Sequence, residues 1–267
     1  MKNTEEQRRS FIKKLGILGS SGLIIPNLMM ANTTNSAKNP LIIGRPKVLF
    51  FDVNETLLDL TAMKETVSEA LEGRSELLSL WFTTMLQYSL VVSASGQYEH
   101  FGHIGAAALQ MVAANHDIDI SEEEARKVIS KALQSLPAHP EVKEALEMLR
   151  ADGYKLVSFT NSSNAGVKNQ FEYAGLLEYF DERLSVEDVG KFKPFSETYQ
   201  WASKKLGIAP AESMLVAAHG WDVAGAQWAG WRAAFIARPG KQLFPLAPTP
   251  EIVETDLLKI ARKLVKL

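Results

Sequence analysis

Apolar residues in this chain fall into two patterns. Short unbroken runs recur at Lys47 to Asp52 (Lys-Val-Leu-Phe-Phe-Asp), Lys155 to Thr160, Ser213 to Ala218 and Arg232 to Ala237, with a weaker one at Glu182 to Val186. Their length and lack of polar alternation predict strands buried on both faces. Between them, apolar positions follow helical spacing. Pro140 marks one helix start and Asp152-Gly153 its stop, while Gly175 and Gly207 follow two other helices. Strands alternating with helices predict an α/β fold with a parallel sheet covered on both faces.

Residues 61–136 break the alternation. They hold no strand candidate and read as helices at Ala62 to Leu71, Ser75 to Val92, Tyr98 to Ala114 and after Ser121, where Ser121-x-x-Glu124 has the form of a capping box. A helical insertion directly after the first strand predicts a cap over the C-terminal edge of the sheet, where ligands of open α/β sheets bind. The expected organisation is a Rossmann-like doubly wound core over 46–60 and 137–267, with the cap over 61–136. Asp256 to Leu267 reads as an amphipathic surface helix with solvated lysines.

The first 45 residues lie outside this pattern. Arg8-Arg9-Ser10-Phe11-Ile12-Lys13-Lys14 precedes 17 uncharged residues, Leu15 to Ala31, that include three Gly, two Ser, one Pro and one Asn. A basic segment, an apolar segment and a small residue near its end make a secretory signal, and the paired arginines resemble the twin-arginine export signal. A spanning helix needs about 20 mostly apolar residues, which disfavours the alternative of a retained anchor. Residues 1–31 are therefore expected to be cleaved, 32–45 to be a linker, and the protein to be exported to the periplasm without stable membrane association. Removing 1–31 takes away a balance of +3 and turns the formal charge from −2 to about −5. With Lys and Arg scattered through such a chain, nucleic acid is not an expected partner. The absence of Cys excludes disulfides, thiol catalysis and thiolate metal sites.

Each predicted strand ends in polar residues. The ends read Asp52-Val53-Asn54-Glu55-Thr56, Thr160-Asn161-Ser162, Lys191-Phe192-Lys193-Pro194 and His219-Gly220-Trp221-Asp222. In a parallel sheet all four lie along one edge and converge. With Tyr199 behind Lys193-Pro194, and with the cap inserted where it is, this ordered set resembles the haloacid dehalogenase superfamily, and within it the type II (S)-2-haloacid dehalogenases. Two departures from the phosphatase pattern of that superfamily carry the distinction. Asn54 stands where phosphatases place the acid that protonates a leaving alkoxide, and Ala226 stands where they place a carboxylate for Mg²⁺. A halide needs no proton to leave, so no metal and no cofactor are expected.

The resemblance implies that Asp52 attacks the halogen-bearing carbon of a small haloacid, expels halide and leaves an aspartyl ester that water then hydrolyses at the Asp52 carbonyl. Lys193 would keep Asp52 ionised, Thr56 would fix it, and Asp222 would hold Lys193 or water. Thr160, Asn161 and the backbone at Val53 and Asn54 would receive the substrate carboxylate. Phe82, Phe101, Tyr199 and Trp221 would wall an apolar pocket, Phe82 standing in the cap segment where type II enzymes carry a halide-binding Arg. His219 replaces an Asn of many type II enzymes, and Glu55 occupies a position where phosphatases usually have Gly. These two are expected to pair, Glu55 orienting His219 as the base that activates the hydrolytic water. His100, His103, His139 and Asp59 are expected to be structural. Relatives in that family are often dimers, which makes a homodimer an open alternative to a monomer. The alternatives are a Mg²⁺-dependent phosphatase of the same superfamily and a non-catalytic domain that binds a small acid.

Overall fold

The computed structural model describes residues 44–267, so the expected signal and nearly all of the expected linker lie outside the described residues. Six strands form one parallel sheet: β1 (Val48–Phe51), β2 (Lys155–Thr160), β3 (Glu182–Ser185), β4 (Ser213–Ala217), β5 (Arg232–Ile236) and β6 (Ile252–Glu254), in the order β3-β2-β1-β4-β5-β6. Strand β1 is fully buried and pairs with β2 on one side and β4 on the other, Phe51 lying beside Ser158 and Val216. The chain runs outward from β1 to β3, then returns to β4 and runs the other way. Asp52 thus follows the strand at which the order reverses, where open sheets of this kind form their crevice.

Consecutive side chains of β1 point to opposite faces. Phe50 meets Trp231 at 4.3 Å and Phe159 at 6.1 Å between ring centroids, with Tyr199 packed on the same cluster. Phe51 meets Phe180 at 5.8 Å, which stacks on Phe171. Burying both faces this way explains why the run has no polar alternation. The sixth strand escaped the pattern reading: only Ile252 of its three residues is buried, and it pairs at the sheet's edge, so no apolar run announces it.

The helices are α1 (Thr61–Ala70), α2 (Leu78–Ala94), α3 (Phe101–Ala114), α4 (Glu122–Gln134), α5 (Val142–Ala151), α6 (Asn164–Ala174), α7 (Ser196–Lys205), α8 (Gly220–Trp228) and α9 (Leu257–Leu264). Helices α1 to α4 form the segment inserted between β1 and β2. Ser121 caps α4 by accepting from the Glu124 N–H, and α2 and α3 are clamped by Trp81 Nε1 donating to the Gly105 carbonyl at 2.8 Å. The two crossings between this segment and the sheet are zipped together. Asp59 N–H donates to the Pro137 carbonyl at 2.8 Å and His139 N–H to that of Leu57 at 2.9 Å. A further hydrogen bond, from Phe192 N–H to Ser93 Oγ at 3.0 Å, ties α2 to the loop that carries Lys193. The segment is therefore anchored where the reactive residues lie.

Candidate active site

Asp52 is 5% exposed and stands at the end of β1. The chain after it turns back at once, the Leu57 and Leu58 N–H groups donating to the Val53 carbonyl at 2.9 and 3.1 Å. This turn places Glu55 in the left-handed region at φ 59°, a conformation that costs a non-glycine residue about 1 kcal/mol. It also sends Thr56 Oγ1 back to donate to Asp52 Oδ2 at 2.6 Å, while accepting from the Ala218 N–H at 2.9 Å. One hydroxyl thereby locks the end of β1 to the end of β4.

Lys193 approaches the other carboxylate oxygen. Its Nζ, with no exposed side-chain surface, donates to Asp52 Oδ1 at 3.0 Å, to Asp222 Oδ2 at 2.5 Å and to the Phe159 carbonyl at 2.9 Å. All three ammonium protons are used, so the charge is fixed in place. Burial would favour a neutral amine, but Asp222 and Asp52 hold the Lys193 group above its ordinary range. Burial by itself would lift the Asp52 carboxyl as well. The Lys193 charge, then His219 and Thr56, outweigh it and hold Asp52 far below the usual carboxylate range. Asp52 is thus an ionised carboxylate in a place sheltered from water.

His219 lies between two acids. Its Nδ1 is 3.0 Å from Asp52 Oδ2 and its Nε2 2.8 Å from Glu55 Oε2. Burial opposes a charged ring, yet the hydrogen bonds and charges of Asp52 and Glu55 push His219 up to about 9. At neutral pH the resting ring is an imidazolium that donates to both. The ring stacks near Trp221, 5.1 Å away at 29°, and Phe82 of α2, 6.4 Å away at 17°. These residues border a cavity of about 660 Å³. A second cavity of about 680 Å³ reaches Glu55 from the other side of Phe82.

Several expected residues stand elsewhere than the sequence suggested. Tyr199, expected against the substrate, is completely buried behind Asp222 and donates to Asp222 Oδ1 at 2.5 Å. Burial and the Asp222 charge hold its phenol well above the ordinary value, so it remains a donor. Asn54 spends both ends of its amide away from Asp52, donating to Ser162 Oγ at 3.2 Å and accepting from Gln170 Nε2 at 3.0 Å. It braces β1 against α6, with one bond at each end of the amide. Phe101 packs on Phe192 at 5.6 Å, away from His219. Thr160 Oγ1 accepts from the Ser162 N–H at 3.1 Å, and Asn161 Oδ1 from the Lys193 N–H at 3.0 Å. The Asn161 amide NH₂ end has no recorded acceptor among the described residues.

His139 accompanies the site through its Nε2, 3.3 Å from the Glu55 carbonyl, and Asp59, ahead of α1, accepts from the Thr61 N–H. His100 and His103 pair with Glu187 and Glu99. The sequence reading missed Ser162, Gln170 and Lys241, the last 2.6 Å from Glu55 Oε2. Ser162 stands in the second strand end but was given no role there, and no motif marks Gln170 or Lys241, because their roles arise only from contact.

The donor set does not fit a divalent cation. Among the described residues no three His, Cys, Asp or Glu side chains are grouped to hold one. Asp222 is already taken by Lys193 and Tyr199, and Ala226 offers no oxygen.

Residues 46–230 match the family model of haloacid dehalogenase-like hydrolases. The chain belongs to the haloacid dehalogenase-like hydrolases. Among relatives of this hydrolase family, an (S)-2-haloacid dehalogenase of Pseudomonas sp. (strain YL) is 29% identical over 212 residues, covering 79% of this chain and 91% of the relative. Haloacetate dehalogenase H-2 of Moraxella sp. (strain B) is 27% identical over 206 residues, covering 77% and 92%. The structure of L-2-haloacid dehalogenase from Xanthobacter autotrophicus superposes with a TM-score of 0.76 at 24% identity, over 81% of this chain and 97% of that one. The hydrolase fold, a parallel sheet with surrounding helices, is common to both structures.

Proposed function

We propose that this hydrolase converts short (S)-2-haloalkanoic acids to (R)-2-hydroxyalkanoic acids through an ester on Asp52. The observation that carries the reading is the buried, ionised Asp52 carboxylate gripped by Lys193, with Asn54 and Ala226 at the positions where a phosphatase needs carboxyl groups. The named activities of the relatives point the same way.

Asp52 attacks the carbon bearing the halogen from the side opposite the leaving group, and halide departs unprotonated. The free amide end of Asn161 and the backbone at Val53 and Asn54 receive the substrate carboxylate. Phe82 and Trp221 face the halide, Trp221 Nε1 being a buried donor with no partner among the described residues. A ring edge and an indole N–H attract an anion less strongly than a guanidinium, which places this site at the weaker end of halide binding. Esterification removes the Asp52 charge, so His219 keeps Glu55 as its only carboxylate contact. Its Nδ1 proton is then released, and the neutral ring, still held at Nε2 by Glu55, takes a proton from the water attacking the Asp52 carbonyl. The second proton of that water passes to the departing alkoxide, so hydrolysis yields the alcohol and restores the carboxylate and the imidazolium. The single proton released overall matches the conversion of an organic halide and water to alcohol, halide and H⁺.

Halide release from (S)- and (R)-2-bromopropionate with a chelator present tests the assignment. Release from the (S)-form alone, with inversion and without loss to the chelator, is expected. Phosphate release that needs Mg²⁺, with no halide release, overturns it.

The same reading has the chain exported and cut near Ala31, supported by Arg8-Arg9 and the uncharged run that follows. It also has the hydrolase pair with a second copy, supported by Leu80, Tyr88, Leu90 and Val91, which expose apolar surface on α2. Intact mass and sedimentation of the chain recovered from the periplasm are expected to give a dimer lacking the first 31 residues or so. A full-length monomer in the cytoplasm overturns both.

A further inference from the structure

The mechanism above leaves unused the cation on the far side of Glu55. Lys241 Nζ lies 2.6 Å from Glu55 Oε2, the same oxygen that faces His219 Nε2 at 2.8 Å. It also stands 5.8 Å over the Phe82 ring, at the seam of the two cavities that border the site. The loop that carries it is seated against His219. Gly220, the next residue, approaches the backbone of Gln242 to Phe244 so closely that a Cβ there would fall 2.3 Å from the Gln242 carbonyl oxygen. Lys241 N–H in turn donates to the Arg238 carbonyl at 2.9 Å, and Arg238 donates to that of Thr56. The backbone that carries the ammonium is thereby held in place beside both members of the pair.

We propose that Lys241 is a positioning residue for ester hydrolysis: it holds Glu55 against His219 Nε2 and shares the charge of the oxygen that binds the ring, so that His219 gives up its Nδ1 proton once Asp52 is esterified. This rests on the reading of His219 and Glu55 as the water-activating pair.

The charges around the pair make the argument. In the resting site His219 meets Asp52 and Glu55, with Lys193 and Asp222 behind Asp52. Arg238, His139 and Asp59 from the core side, and Lys64 of α1, border the Glu55 cavity. Apart from His219 itself, Lys241 is the one cation among the described residues that forms an ion pair with Glu55. After esterification Glu55 is the one carboxylate still touching the ring. Alone, it would keep the ring protonated and unable to act as a base. With Lys241 on the same oxygen its hold is divided, and the neutral ring is reached at lower pH.

Rapid quench after mixing with (S)-2-bromopropionate, followed by intact mass, counts ester and free enzyme separately across a range of pH. K241M is expected to form the ester within about twofold of the parent rate. Its hydrolysis limb should move about one unit to higher pH, which is about tenfold slower at neutral pH, and should rejoin the parent in alkali. K241R should keep the parent profile. A K241M profile that coincides with the parent, one lowered equally at every pH, or loss of ester formation overturns the proposal. H219N in the same assay separates the two claims. If it hydrolyses its ester as fast as the parent, the pair itself is wrong and Lys241 falls with it. If H219N is slow while K241M is unchanged, Lys241 alone is misassigned.

Discussion

Asp52→Asn is expected to abolish halide release, by at least about 10⁴-fold, while leaving the chain folded. An amide nitrogen is no nucleophile toward carbon, and no other residue can take over, because an alternative must reach the same carbon in line with the leaving group. The fold should tolerate the change because the amide is isosteric with the carboxylate. Its oxygen can accept from Lys193, as Asp52 Oδ1 does at 3.0 Å, and its NH₂ can donate to a His219 that has become neutral. Lys193 keeps Asp222 as a counter-ion at 2.5 Å, so no buried charge is left unpaired. Halide release and thermal unfolding of the variant check the two halves of the expectation. Single turnover of the parent in oxygen-18 water completes it, with label expected in the Asp52 side chain. Halide release by the variant near the parent rate, or label that never enters Asp52, refutes covalent displacement.

His219→Asn is expected to trap the ester. General-base assistance is worth about 10²- to 10⁴-fold, and the loss should fall on hydrolysis alone. Ester formation needs only an ionised Asp52, which Lys193 and Thr56 continue to hold. Enzyme mixed with excess (S)-2-bromopropionate should release about one halide per site and then stall, with the intact mass raised by one propionate unit. The parent profile should rise with pH, because the base is the unprotonated ring and Asp52 and Glu55 hold the resting ring charged up to about pH 9. Once the ester removes one of those carboxylates, the rise should come at lower pH than the resting ring titrates. A variant that turns over without accumulating ester places the base elsewhere.

The strand ends were legible because each is local. An apolar run that closes on a polar residue announces a buried strand and its reactive tip, and parallel pairing then forces the tips of β2, β1 and β4 into one row. With the resemblance to the haloacid dehalogenase superfamily added, Asp52, Thr56, Lys193, His219 and Asp222 could be named together before any contact was known, although Lys193 lies on a loop well past the end of β3 at Ser185. The departures were equally local. Glu55 was conspicuous as a carboxylate where Gly is usual, and the turn places it at φ 59°.

What the sequence could not convey was which partner each polar group chooses. Tyr199 looked like a substrate contact, but its hydroxyl is spent on Asp222, and the Asn54 side chain is drawn to Ser162 and Gln170. Lys241 follows an ordinary Pro-Gly turn and resembles any surface lysine until the loop from Arg238 to Phe244 is laid against Gly220. Strand β6 is too short and too exposed to be written in hydrophobicity. By itself, then, the sequence determined five of the sheet's six strands, the inserted helices and the chemical character of the row at their junction, because burial and strand polarity are written in neighbouring residues. Only the tertiary structure decided the charge sharing around His219, because a hydrogen bond's partner is chosen by tenths of an ångström between segments far apart in the chain.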